Sequence, residues 1–112
     1  MQFPRPSQQL TITALTSSGH AYDIDFPLHP QTRSSDAVAD LVTAQLAAIS
    51  EIVARHPGLG DGDILQSLAM TLAVRARMVD SSPESMTKLV HDLFDTAYEA
   101  ARTAAPVIAG GA

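Results

Sequence analysis

Apolar residues alternate with polar ones from Leu10 to about Leu28, and after Ser35 they recur at every third or fourth position. The first period is that of a strand with one face on a core, the second that of an amphipathic helix. Leu10, Ile12 and Ala14 alternate with Thr11 and Thr13, and Tyr22, Ile24, Phe26 and Leu28 alternate with Asp23 and Asp25. Between these runs, Thr16-Ser17-Ser18-Gly19-His20 offers a glycine free to take a positive φ and hydroxyls that bond nearby backbone. An antiparallel hairpin over about 9–28 is therefore expected. Pro27 and Pro30 lack an amide donor and close the ladder.

Three helices follow. Ser34, Ser35 or Asp36 can cap the first, predicted over about 36–55, which carries Val38, Leu41, Val42, Ile49, Ile52 and Val53 on one face. Asp36, Asp40, Thr43, Ser50 and Glu51 lie opposite, Leu46 widens the apolar stripe, and His56-Pro57-Gly58 ends the helix. The second, about 62–79, can start on Asp61 or Asp63, with Leu65, Leu68, Leu72, Ala76 and Val79 as its expected buried face. Ile64, Met70, Val74 and Met78 fall outside that stripe, so this helix is apolar over more than half its circumference. The third, about 83–104, starts at Ser82-Pro83 or on a Ser81/Glu84 capping box. It aligns Met86, Leu89, Val90, Leu93, Ala97, Ala100, Ala101 and Ala104, and Pro106 stops it.

The fold class this order predicts is α+β, an N-terminal hairpin followed by three amphipathic helices, ββααα. The 112 residues suffice for one domain, read as a flexible leader over 1–8, a single domain over 9–105 and a flexible tail over 106–112. An isolated two-stranded hairpin is marginal in water, so it is expected to pack on the helices or to gain strands from another chain.

Composition sharpens the picture in one respect. Hydrophobic residues make up 46% of the chain and charged residues 17%, against roughly 25% charged in a typical soluble domain. A surface this thin in charge is expected to be shared with a partner. The net charge of −5, seven scattered Lys and Arg, and the lack of Trp disfavour nucleic-acid binding. The absence of cysteine rules out disulfides and thiolate metal sites. Met1 to Pro6 holds no apolar run of a secretory signal, and no unbroken apolar stretch reaches the ~18 residues of a membrane span. A soluble cytoplasmic protein, with neither nucleic acid nor membrane as partner, is the expectation.

Four groups of residues invite chemistry. His20, Asp23, Asp25 and His29 are metal-ligand types, but strand alternation sends His20 away from the two aspartates, so no metal is expected. Gly58-Leu59-Gly60-Asp61-Gly62-Asp63 resembles a phosphate-cradling loop only superficially, because it follows a helix and carries two Asp and no Lys. His91 and Asp95 could meet on one helical turn, yet no nucleophile elbow accompanies them, and no catalytic residue or cofactor is assigned. Arg75 and Arg77 interrupt the apolar second helix and either reach water along their stems or pair with an acid such as Asp92 or Glu99.

The leading expectation is a small, non-catalytic, homo-oligomeric accessory or protein-interaction domain, most simply a dimer, with Met70, Val74, Arg75, Arg77 and Met78 as interface candidates. The alternative is a small-molecule-binding regulatory domain with an apolar pocket between hairpin and helices, lined by Tyr22, Phe26 and Phe94 with Met70 and Met78. An enzyme ranks behind both.

Overall fold

A computed structural model describes residues 9–16 and 18–107. The elements are β1 (Gln9–Leu15), β2 (Ala21–Pro27), α1 (Ser35–Arg55), α2 (Asp61–Arg77) and α3 (Pro83–Thr103), an α+β chain of order ββααα. The leader over 1–8 and residues 108–112 of the tail lie outside the described residues, as does Ser17. The chain divides into two compact units: the residues up to Ala39 together with those from His91 onward, and Asp40–Val90.

In the first unit, β1 and β2 pair antiparallel in the register Leu10 with Phe26, Ile12 with Ile24 and Ala14 with Tyr22, which places these six residues on one face, while Leu15 at the end of β1 falls on the other and is exposed. Ile24, at the middle of β2, is the one described residue that is buried, 9% exposed. On the other face Thr11 donates to Asp25, and Thr13 donates to Asp23 at 2.6 Å.

The turn closes through the Thr16 amide on the His20 carbonyl (2.8 Å) and the Gly19 amide on the Thr16 carbonyl (3.0 Å), with Gly19 at φ 89°. That left-handed backbone is what a bulged hairpin turn requires, and only glycine adopts it freely. A Cβ at Gly19 would meet nothing within 4 Å, so Gly19→Ala should lower stability by about 1 kcal/mol from backbone strain alone. Denaturant unfolding checks this, and an unchanged midpoint would mean the turn relaxes.

Each helix starts on a residue whose chemistry frees it to start there. The Ser34 hydroxyl accepts from the Ala37 amide at 3.1 Å and the Ser82 hydroxyl from the Ser85 amide at 3.1 Å, so both serines are N-caps. At α2 the cap is Gly60, which has no side chain to offer, and Asp63 instead reaches back to accept from the Gly60 amide at 3.1 Å. α2 ends two residues earlier than its apolar pattern suggests. The Met78 amide bonds both Val74 and Arg75, and the Val79 amide bonds only Ala76, so the last turn tightens and unwinds at the Arg77–Val79 junction.

Beyond α3, Pro106 bridges antiparallel to Tyr22, and the Val107 amide donates to the Ala21 carbonyl at 2.7 Å. The tail is thus held to the outer edge of β2 at least to Val107.

Candidate association surface

Among the described residues, the two strands are the only elements whose backbones run close together over several residues. The apolar faces of the helices are correspondingly wet. On α1 the centre of the stripe, Val38, Val42, Ile49 and Val53, is half-buried, while its flanks Leu41, Leu46 and Ile52 are exposed. On α3 Met86, Val90, Ala97, Ala100 and Ala101, with Ala104 just past its end, are the more covered residues of the face that spacing predicts, while Leu89 and Leu93 of the same face are exposed. Phe94 and Tyr98 flank it, stacked on each other with ring centroids 5.6 Å apart and both 57% exposed.

α2, within the 40–90 unit, carries the largest such surface. Leu65, Leu68, Leu72 and Ala76 form one stripe along it, continued by Val79 just past its end. Met70 and Val74, at a spacing of four and continued by Met78, form a second stripe on the opposite side. The first stripe is the expected buried face, yet of its members only Ala76 is half-covered. Leu65, Leu68, Met70, Leu72, Val74, Met78 and Val79 are all between 37% and 66% exposed. The reason is physical: among the described residues of the 40–90 unit, no other element runs closely along α2. The hydroxyls of this helix ask little of solvent or partner, since that of Ser67 donates to the Ile64 carbonyl and that of Thr71 to the Ser67 carbonyl.

Arg75 and Arg77 leave the helix on the flanks of the Met70–Val74–Met78 stripe. Arg75 makes a weak contact from Nη1 to the Met78 sulfur at 3.4 Å. Glu99, one acid weighed as their partner, is engaged by Arg102 at 2.7 Å. That hydrogen bond holds the Arg102 guanidinium above its ordinary pKa.

The polar candidates of the hairpin and of the loop before α2 are occupied locally. His20 shares a hydrogen bond with Ser18 (2.8 Å), His29 accepts from the Gln31 amide (3.1 Å), and Asp23 and Asp25 accept from the β1 threonines. Among the described residues no three metal-ligating side chains converge. Gly58 to Asp63 joins two helices, with Gly60 and Asp63 committed to starting α2.

A cleft of about 500 Å³ lies in the first unit, lined by Asp23, Asp25, Ala100, Thr103 and the segment Ala104–Val107. Tyr22 and Phe26 are half-buried on the apolar face of the hairpin and Phe94 is on α3, so the structure places none of the three in this cleft. Nothing in the sequence marked the cleft, because it forms only once Pro106 and Val107 dock beside β2.

α1, with 21 residues and a hydropathy of 1.6 over its most apolar stretch, is long and apolar enough to cross a membrane. Its charges are not scattered, however: Asp36, Asp40 and Glu51 align with Thr43 and Ser50 in one polar stripe, the pattern of a helix with one wet face. No known protein family, curated protein or solved structure matches the chain.

Proposed function

We propose that this protein is a non-catalytic, homo-oligomeric interaction domain whose helical core is completed by a partner chain. The observation that carries the reading is α2, with apolar stripes on opposite sides and both in water. Its seven exposed large side chains leave on the order of 700 Å² of apolar surface uncovered, divided between the two stripes, so that each stripe alone is the size of the ~300–600 Å² largest patch of a typical monomer. About 800 Å² is what each partner contributes to a standard interface. At about 25 cal/mol per Å², covering even half of it yields roughly 9 kcal/mol, enough to meet the ~4–15 kcal/mol cost of association once α1 and α3 add their own exposed flanks. The amphipathic α1 is read in the same way, with its apolar side on protein rather than lipid.

Sedimentation velocity across the micromolar range tests this directly. The expected result is a species of at least twice the 11.8 kDa chain mass, shifting toward smaller mass only on strong dilution. A monomer throughout that range would overturn the proposal.

A further inference from the structure

We propose that the partner is a second copy of this chain, joined through antiparallel pairing of β1 with β1 about a two-fold axis at Ile12. The resulting sheet has the order β2-β1-β1-β2. This rests on the homo-oligomeric reading above and adds a strand seam to its helical surface.

The hydrogen bonds of the turn settle which backbone groups face outward. Because the Thr16 amide bonds the His20 carbonyl, strand alternation directs the backbone groups of Leu10, Ile12 and Ala14 toward β2 and those of Gln9, Thr11, Thr13 and Leu15 toward the open edge. The same alternation on β2 points Ala21 outward, and Ala21 is the residue whose carbonyl receives the Val107 amide. The outer edge of β2 is thus met by the chain's own tail, while among the described residues nothing pairs with the outer edge of β1.

Exposed edges are normally blunted by charge, proline or a bulge. β1, Gln-Leu-Thr-Ile-Thr-Ala-Leu, has no charge and no proline, and it keeps an unbroken register with β2. It is also compatible with itself. Full overlap of two antiparallel copies of this seven-residue strand places the axis on Ile12. Thr11 then lies opposite Thr13, so the outward-facing residues of both copies meet, and Leu10 lies opposite Ala14, a large residue against a small one on the apolar face. Pairing through β2 would instead bring Asp23 and Asp25 of two copies together. In the proposed sheet the two aspartate-bearing strands stand three spacings apart, about 14 Å, beyond the ~8 Å screening length at physiological salt.

The two-fold axis makes a sharp test possible in a chain with no cysteine. In Ile12→Cys the new thiols face each other across the axis, at a strand position where Cα atoms lie about 4.5 Å apart, within reach of a disulfide. Mild oxidation should give covalent dimers at least about tenfold faster than for Leu10→Cys, whose neighbour across the axis is Ala14. Thr13→Pro removes an amide that points to the open edge, leaves the β1–β2 backbone hydrogen bonds intact while deleting the exposed Thr13–Asp23 side-chain bond, and should weaken association by about 100-fold or more in sedimentation.

Both results together support the pairing. If the native chain associates, but Ile12→Cys links no faster than Leu10→Cys or Thr13→Pro associates normally, the β1 seam is wrong while the homo-oligomeric reading stands. A native monomer would overturn both. Should Thr13→Pro fail to fold by circular dichroism, the ratio of the two cross-linking rates decides alone.

Discussion

Val74→Asp should raise the dissociation constant of the assembled protein by about 100-fold or more, while leaving the helical content of the chain unchanged. Val74 sits at the middle of the Met70–Val74–Met78 stripe and is 60% exposed within its own chain. Asp and Val have similar, modest helix propensities, and substitutions at exposed sites usually stay within about 0.5 kcal/mol. Judged from the single chain, the exchange is therefore close to neutral. Judged from an assembly in which this stripe is covered, it buries an unpaired carboxylate, at a cost of roughly 3 kcal/mol or more, which is a factor of about 160 in affinity.

The two views differ so widely that a native-mass measurement of one variant separates them. Ser50→Asp, in the polar stripe of α1, is the matched control and should leave the mass unchanged. Arg75 and Arg77 could in principle compensate the new charge, since they flank the stripe, but Val74 lies between them at its centre. If Val74→Asp retained the native mass, Met70, Val74 and Met78 would lie outside the interface, and association would have to run through Leu65, Leu68 and Leu72, through α1 and α3, or through the β1 seam alone.

Local signals in the sequence were read more faithfully than distant ones. The hairpin and its register follow from alternation, and Ser34, Ser82 and Pro83 mark where α1 and α3 begin because a cap acts on amides only two or three residues away. Asp63 likewise starts α2, although through its own carboxylate on the Gly60 amide rather than as the cap itself. The face of α3 was legible over its alanines, whose spacing is regular and whose small size permits close approach, but not at Leu89 and Leu93, which are exposed. The docking of Pro106 and Val107 on β2 was not, since two residues after a helix stop show no period and their partners, Tyr22 and Ala21, lie at the far end of the chain. The face of α2 was misread for a different reason. Periodicity tells which residues could share a core, but it does not tell whether the same chain supplies the other side of that core, and among the described residues of the 40–90 unit no other element runs along α2.

Ile24→Ala should cost about 2–4 kcal/mol, the largest loss expected from any single truncation in the hairpin. Ile24 is the one buried side chain among the described residues, paired across the ladder with Ile12 and flanked on the same face by Tyr22 and Phe26. A two-stranded sheet has little stability of its own, so the hairpin depends on what this face packs against, and removing its central side chain leaves a void that two neighbouring strands cannot close. Leu41→Ala is the informative comparison: Leu41 is 62% exposed in the single chain, where truncation would cost well under 1 kcal/mol, but on a covered helix face it would approach the cost at Ile24. Urea unfolding should be followed at several protomer concentrations, because in an obligate assembly unfolding is coupled to dissociation and the midpoint rises with concentration. A concentration-independent midpoint, with Leu41→Ala near neutral, would mean that Ile24 marks the whole of a very small core. A rising midpoint, with both variants costly, would mean that Ile24 is the innermost part of a larger core whose other half belongs to the partner chain.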